Sequence, residues 1–245
     1  ELDAASCTGV DNVREEIISR VSYAPVRGGY KVYIIDEVHM LTTAAFNALL
    51  KTLEEPPATV LFLLVTDAWD AVLPTIRSRA VRIAFGPLPR AEIAAELQRR
   101  GIAHAETIAA LADGSLGRAE TLAAEGLSLR DDALSFLTIL ETLRIEDIWK
   151  HAEQLGGRSY DERAAWLGYL QMALRDLLVL RENAAAELYH VDRRAELTEL
   201  LPVMPRQRVL LLMEEAGALL RRFGANVNPA LQAEAFFLRA RQVMG

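Results

Sequence analysis

The stretch Lys31–Pro57, KVYIIDEVHMLTTAAFNALLKTLEEPP, constrains this chain more than any other. Four apolar residues, Val32, Tyr33, Ile34 and Ile35, run straight into Asp36 and Glu37, and an amphipathic helix comes next and stops at two prolines. An apolar run without alternation is the pattern of a strand covered on both faces, as in parallel α/β sheets. The acids then stand at the strand's carboxyl end, where such sheets bind ligands. A carboxylate pair there suits phosphoryl chemistry: the first acid holds a hydrated Mg²⁺ and the second polarises an attacking water. A strand that merely ends in acids is the competing explanation, and the helix and double proline behind it tell against it.

The flanks extend the same pattern. Glu1–Ala4 reads as the end of a strand, and Val10–Val21 as a helix with Val10, Val13, Ile17 and Val21 on one side. After the helix at about 43–55 comes VLFLLVT (Val60–Thr66), a second buried strand, then a short helix at about 70–76 and a fourth strand at Ala80–Phe85. Each strand–helix pairing fits right-handed parallel crossovers. Gly86-Pro87-Leu88-Pro89 breaks the pattern and marks a boundary. Beyond it no strand-like alternation persists. Short helices split by Gly101 and Asp113-Gly114-Ser115 fill 90–125, and longer ones are predicted at 128–142, 146–155, 158–182, 191–200, 205–223 and 228–243. The expected fold is therefore α/β and then all-α, in three domains: 1–86, 87–127 and 128–245.

Composition narrows the class. At 245 residues, 51% of them hydrophobic, the chain can bury a sizeable core, and no apolar run approaches the roughly 18–20 residues of a membrane span. Its first residues read as neither a signal nor a transit peptide. A single cysteine, Cys7, excludes an internal disulfide and a cysteine zinc site, so the cytoplasm is the expected compartment. A formal charge of -7 argues against a protein that coats nucleic acid by itself.

The segment KVYIIDEVHMLTTAAFNALLKTLEEPP closely resembles the bacterial DNA polymerase III clamp-loader subunits of the AAA+ superfamily. ELDAASCTGVDNVREEI and SYAPVRGGYKVYIIDEVHML are similar to the gamma/tau type. VLPTIRSRAVRIAF, the GPLP linker, ADGSLGRAETLAAE and NVNPALQAEAFFLRAR are more similar to delta-prime. The resemblance implies a partial RecA-like ATPase core, a helical lid and a helical collar. It also implies a place in a hetero-oligomeric ring that uses ATP and Mg²⁺ to load a sliding clamp onto primed DNA, within the polymerase III holoenzyme. Two roles stay open: a delta-prime-like stator, which is the leading expectation, and a gamma/tau-type ATP-hydrolysing motor. The DEVH tetrapeptide also occurs in a helicase group, but its spacing to LLKTLEEPP favours the clamp loader, and no second helicase core is present. The EEPP segment and NVNP ending likewise argue against a Holliday-junction motor.

Residue by residue, the resemblance makes Asp36 the ligand of the metal's water and Glu37 the general base. Thr66, ending the VLFLLVT strand, matches sensor 1, with ordinary capping of the Asp67–Trp69 turn as the alternative. Ser78-Arg79 matches the family's Ser-Arg-Cys motif with Ala80 in place of the cysteine. Arg79 would reach a neighbour's ATP in trans, because a planar, permanently charged fork stabilises charge spreading over phosphoryl oxygens. A solvated basic turn with Arg77 and Arg82 is the alternative. His39 is expected to be structural or a contact near the site, not a base. Arg14, Arg20 and Lys51 are candidates for a phosphate-facing lining, against plain solvated helix charges. His104, His151 and His190 are too scattered to suggest a metal site.

Two departures matter. Gamma/tau subunits carry an arginine where this chain has Gly117, and Arg118 is displaced by about 100° around a helix. This departure counts for delta-prime. No GxxxxGK[ST] phosphate loop occurs in the 245 residues, although ATP needs backbone N–H groups and a lysine to cradle its phosphates. That loop and the family's four-cysteine zinc module would both precede Glu1, so the chain is expected to be truncated at its N-terminus and to show no ATPase activity alone.

Overall fold

The computed structural model describes residues 2–4, 9, 11, 14–23, 28–223 and 227–244. Contacts divide the chain into two compact units, Glu1–Phe85 and Gly86–Gly245. Val10, Val13, Cys7 and Asn226 lie outside the described residues, as does the side chain of Arg14.

The first unit is built on a parallel sheet of three strands, β1 (Leu2–Asp3), β2 (Lys31–Asp36) and β3 (Val60–Leu64), in that spatial order. Leu2 stands opposite Ile35, and β2 and β3 run in register from Lys31 opposite Val60 to Ile35 opposite Leu64. A single π-type turn at Arg14–Ile18 leads into α1 (Ser19–Val21). After β2, α2 (Thr43–Glu54) starts where the Thr42 hydroxyl accepts the Ala45 N–H at 3.2 Å, and it ends ahead of Pro56 and Pro57. A 3₁₀ turn at Trp69–Ala71 and α3 (Pro74–Arg77), opened by proline at its first position, complete the unit. Ile17, Val38, Phe46, Leu49, Val72 and Ile76 pack with Ile35, Tyr33, Phe62 and Leu64. Tyr33 and Phe62 stack across the strands at 5.4 Å between ring centres.

Two expectations need correcting here. The strands are covered on one face only: Val32, Leu61, Leu63 and Val65, which alternate with the packed residues, are exposed. The residues of the core cluster lie on the Tyr33–Phe62 side, and on the opposite face Ile34 is half-buried. The fourth strand at Ala80–Phe85 does not form either. Val81 and Phe85 are 90% and 95% exposed, because among the described residues no neighbouring strand offers that segment a ladder.

The second unit is helical: α4 (Arg90–Arg99), α5 (Ala105–Leu111), α6 (Leu116–Glu125), α7 (Ser128–Ile139), α8 (Ile145–Gly156), α9 (Tyr160–Glu182), α10 (Arg194–Leu200), α11 (Arg206–Arg222) and α12 (Pro229–Met244). One hydrophobic cluster runs through it from Ile93 to Met244. The rings of Phe136, Trp166, Phe236 and Phe237 meet at its centre, and Trp166 donates its Nε1–H to Asp132 at 3.0 Å. Trp166 and Tyr169 are buried and Met172 packs against the cluster. The apolar stripe of α11 decides which of its residues join this core. Val209, Leu212, Ala216 and Leu219 face inward at intervals of three and four, which turns Leu210 outward. Gly114, at φ +85°, lets the Gly-Pro-Leu-Pro segment cross the α5–α6 turn, with Leu88 N–H donating to its carbonyl at 2.9 Å. A Cβ there would lie 2.3 Å from Pro87 Cβ.

Candidate functional site

The site lies at the carboxyl ends of β2 and β3. Because the two strands are parallel and in register, the acids at the end of one apolar run come to rest beside Thr66 and Asp67 at the end of the other. Beyond the ladder, Val65 N–H donates to the Ile35 carbonyl at 2.9 Å, and Val38 N–H donates to the Val65 carbonyl at 3.0 Å. Between these bonds Glu37 takes the left-handed conformation, φ 49° and ψ 41°, and opens a 3₁₀ turn over Val38–Met40. A non-glycine residue held there costs of order 1–3 kcal/mol, offset by the hydrogen bonds on either side.

That reversal returns His39 beneath the strand ends. Its Nδ1 lies 3.0 Å from Thr66 Oγ1, 3.4 Å from Glu37 Oε2 and 3.8 Å from Asp67 Oδ1. Thr66 Oγ1 also accepts the Ala68 N–H at 3.0 Å. One ligand atom each from Glu37, His39 and Asp67 lie within 4.8 Å of one another. Asp36 is half-buried, and its Oδ1 accepts the N–H of Glu37 at 2.9 Å. A carboxylate at this strand end is the kind of donor that holds a water of a hydrated divalent ion. The strand-end residues would meet such an ion and an attacking water; they do not make a phosphate cradle.

Asp36, Glu37 and Thr66 are thus brought together, and the capping expected of Thr66 coexists with its place in the cluster. Arg79 makes its contacts elsewhere. It donates to the Thr75 carbonyl at 2.7 Å and to Ser78 Oγ at 3.3 Å, and it pairs with Glu54 at the end of α2. Nearby, the guanidinium groups of Arg77 and Arg82 lie over the Trp69 ring. Arg20 pairs with Glu16 at 2.8 Å on an exposed helix face, and Lys51 is exposed, which favours the plain helix-charge reading for both. Ser115 caps α6 by accepting the Arg118 N–H at 3.2 Å, and the Arg118 side chain is exposed. Asp67 and the meeting of His39 with Thr66 were missed from sequence. The usable signal was a polar pair at the end of each of two in-register apolar runs.

A family model described as "DNA polymerase III, delta subunit" matches residues 3–89. DNA polymerase III subunit gamma/tau of Mycobacterium tuberculosis is 52% identical over 99 residues, covering 40% of this chain and 17% of that one. Subunit tau of Bacillus subtilis is 42% identical over 155 residues, covering 60% and 26%. Subunit tau of Escherichia coli is 42% identical over 143 residues, covering 55% and 22%. These matches therefore span about a quarter or less of the relatives' length. A solved gamma-subunit-related protein from Thermotoga maritima superposes at a TM-score of 0.45 with 22% identity, covering 97% of this chain and 80% of that one, a likeness too slight to argue from.

Proposed function

Since this chain is a relative of the bacterial DNA polymerase III clamp-loader subunits of the AAA+ type, we propose that it works in such a ring, with the β2–β3 strand ends facing the hydrolytic end of bound ATP. The observation that carries this is the convergence of Asp36, Glu37, His39 and Thr66 on two adjacent strand ends. Asp36 would hold a water of the Mg²⁺ ion and Glu37 would take a proton from the attacking water. Thr66 would donate to an anionic oxygen of the terminal phosphate. The ion supplies charge neutralisation between phosphate oxygens when bound. Arg79 would leave Glu54 and reach a neighbouring subunit's ATP, a change that exchanges one carboxylate partner for a phosphate. Within the second unit, we assign 87–127 as lid and 128–245 as collar. The other ring subunits, the sliding clamp and primed DNA are the partners this role requires, and the cytoplasm is its compartment. No helix of the described residues is long and apolar enough to cross a membrane.

A motor role draws support from the assembled strand ends and from the identity with gamma/tau subunits. The stator role draws support from Gly117, which leaves α6 without an arginine at the expected position. One experiment separates them. In the reconstituted ring, Glu37→Gln should cut the ATPase of a motor by orders of magnitude and leave that of a stator intact. Arg79→Ala should cut ring ATPase by about 10³ or more in either case. An unchanged rate with Arg79→Ala would remove the finger assignment.

A further inference from the structure

We infer that His39 is a positioning residue: a proton on its Nδ1 holds Glu37 and Thr66 together and leaves the Thr66 hydroxyl able only to donate. Three acceptors surround that nitrogen, the carboxylates of Glu37 at 3.4 Å and Asp67 at 3.8 Å and the hydroxyl oxygen of Thr66 at 3.0 Å. A bare lone pair at this position would face two carboxylates, whereas a proton there is attracted by all three groups. The imidazole therefore carries its proton on Nδ1 and shares it between Glu37 Oε2 and Thr66 Oγ1.

The consequence falls on Thr66. A threonine hydroxyl has two lone pairs and one proton. Ala68 N–H occupies one lone pair at 3.0 Å, and His39 Nδ1–H occupies the other. The hydroxyl proton is then the group's only remaining capacity, and it must be given outward. A group that can only donate selects an anionic or lone-pair-bearing ligand, such as a phosphate oxygen, and rejects a cation such as an ammonium group. The same N–H draws one oxygen of Glu37 toward the core of the turn, which keeps the carboxylate from swinging into solvent and presents its other oxygen as the proton acceptor. His39 thus acts on the chemistry through its two neighbours and needs no contact with substrate.

The proposal deepens the reading of the strand ends as ATP-facing and rests on that reading only for its kinetic consequence. The first measurement is the tautomer of His39, read by long-range ¹H–¹⁵N correlation in the ¹⁵N-histidine-labelled chain and identified by its loss in His39→Asn. The Nδ1–H tautomer is expected; a predominant Nε2–H tautomer overturns the proposal. The second is the ATPase of the assembled ring. An asparagine amide places its N–H where Nδ1–H stood, so His39→Asn should keep kcat within about threefold. His39→Gln and His39→Ala should lose about 10- to 100-fold in kcat with KM little changed. Equal losses in the asparagine and alanine variants also overturn it. If Glu37→Gln leaves the ring's ATPase intact, the subunit is a stator whose strand ends hydrolyse no ATP, and the tautomer alone decides the place of the proton.

Discussion

Asp176, in the middle of α9, is fully buried, and its carboxylate ties down the loop beyond that helix. It accepts the backbone N–H groups of Tyr189 at 3.1 Å and His190 at 2.9 Å, and it lies 3.0 Å from His190 Nδ1. Burial raises its pKa, but the hydrogen bonds from the His190 ring and the two backbone groups outweigh it and hold the carboxyl below the ordinary range. A depressed folded-state pKa contributes stability that is present above the unfolded value, about 3.9, and lost as pH falls through the folded one. Asp176→Asn keeps the shape but loses the charge. It should cost about 3–5 kcal/mol near pH 7, and the gap to wild type should narrow below about pH 4. Urea titrations at the two pH values check this; a gap of equal size at both would show that the carboxylate's charge contributes nothing. At this scale the sequence places Asp36, Glu37 and Thr66 at the ends of two apolar runs, because strand ends are legible from hydrophobic runs. It says nothing of Asp176, an acid in mid-helix whose burial depends on a loop that folds back after the helix has ended.

The helices show why elements were easier to read than residues. Ser159 and Glu162 form a reciprocal capping box at the start of α9, and Glu162 keeps a depressed carboxyl pKa through its bonds to Ser159. Such signals are local, so the predicted helices at 146–155, 158–182 and 228–243 sit within a few residues of α8, α9 and α12. How closely two helices approach is a different matter. Gly156 ends α8 against the first turn of α12, where an added Cβ would lie 2.5 Å from Ala230 Cα and 2.6 Å from its nitrogen. Gly156→Ala should push the helices apart and cost about 1–3 kcal/mol. Gly168, inside α9, has nothing within 4 Å of a built Cβ, so Gly168→Ala should be neutral or stabilise by up to about 1 kcal/mol. Denaturation midpoints compare the two, and equal effects would deny the tight α8–α12 contact.

For the whole molecule, the clearest fact is that the two units have separate cores. Among the described residues, the second unit's cluster draws on residues from Ile93 to Met244, and the first unit's on residues from Leu2 to Ile76. Residues 86–245 should therefore fold without the rest. Expressed alone, this segment should unfold in one cooperative urea transition, with an m-value suited to about 160 residues. A broad, non-cooperative loss of helicity would mean that the second core depends on the first unit.

The sequence by itself determined the strand–helix–strand order of β2, α2 and β3, the helical nature of residues 90–245 and the acids at a strand's end. Each rests on periodicity, caps and breakers that act over a few residues. Only the tertiary structure decided that the sheet is covered on one face, that Val81–Phe85 makes no strand, and that Leu210 faces outward. It alone placed His39 between Glu37 and Thr66. Those outcomes depend on which segments distant in the chain become neighbours. A strand needs a partner to hydrogen-bond and an apolar face needs a layer to cover it, and no window of adjacent residues carries that information.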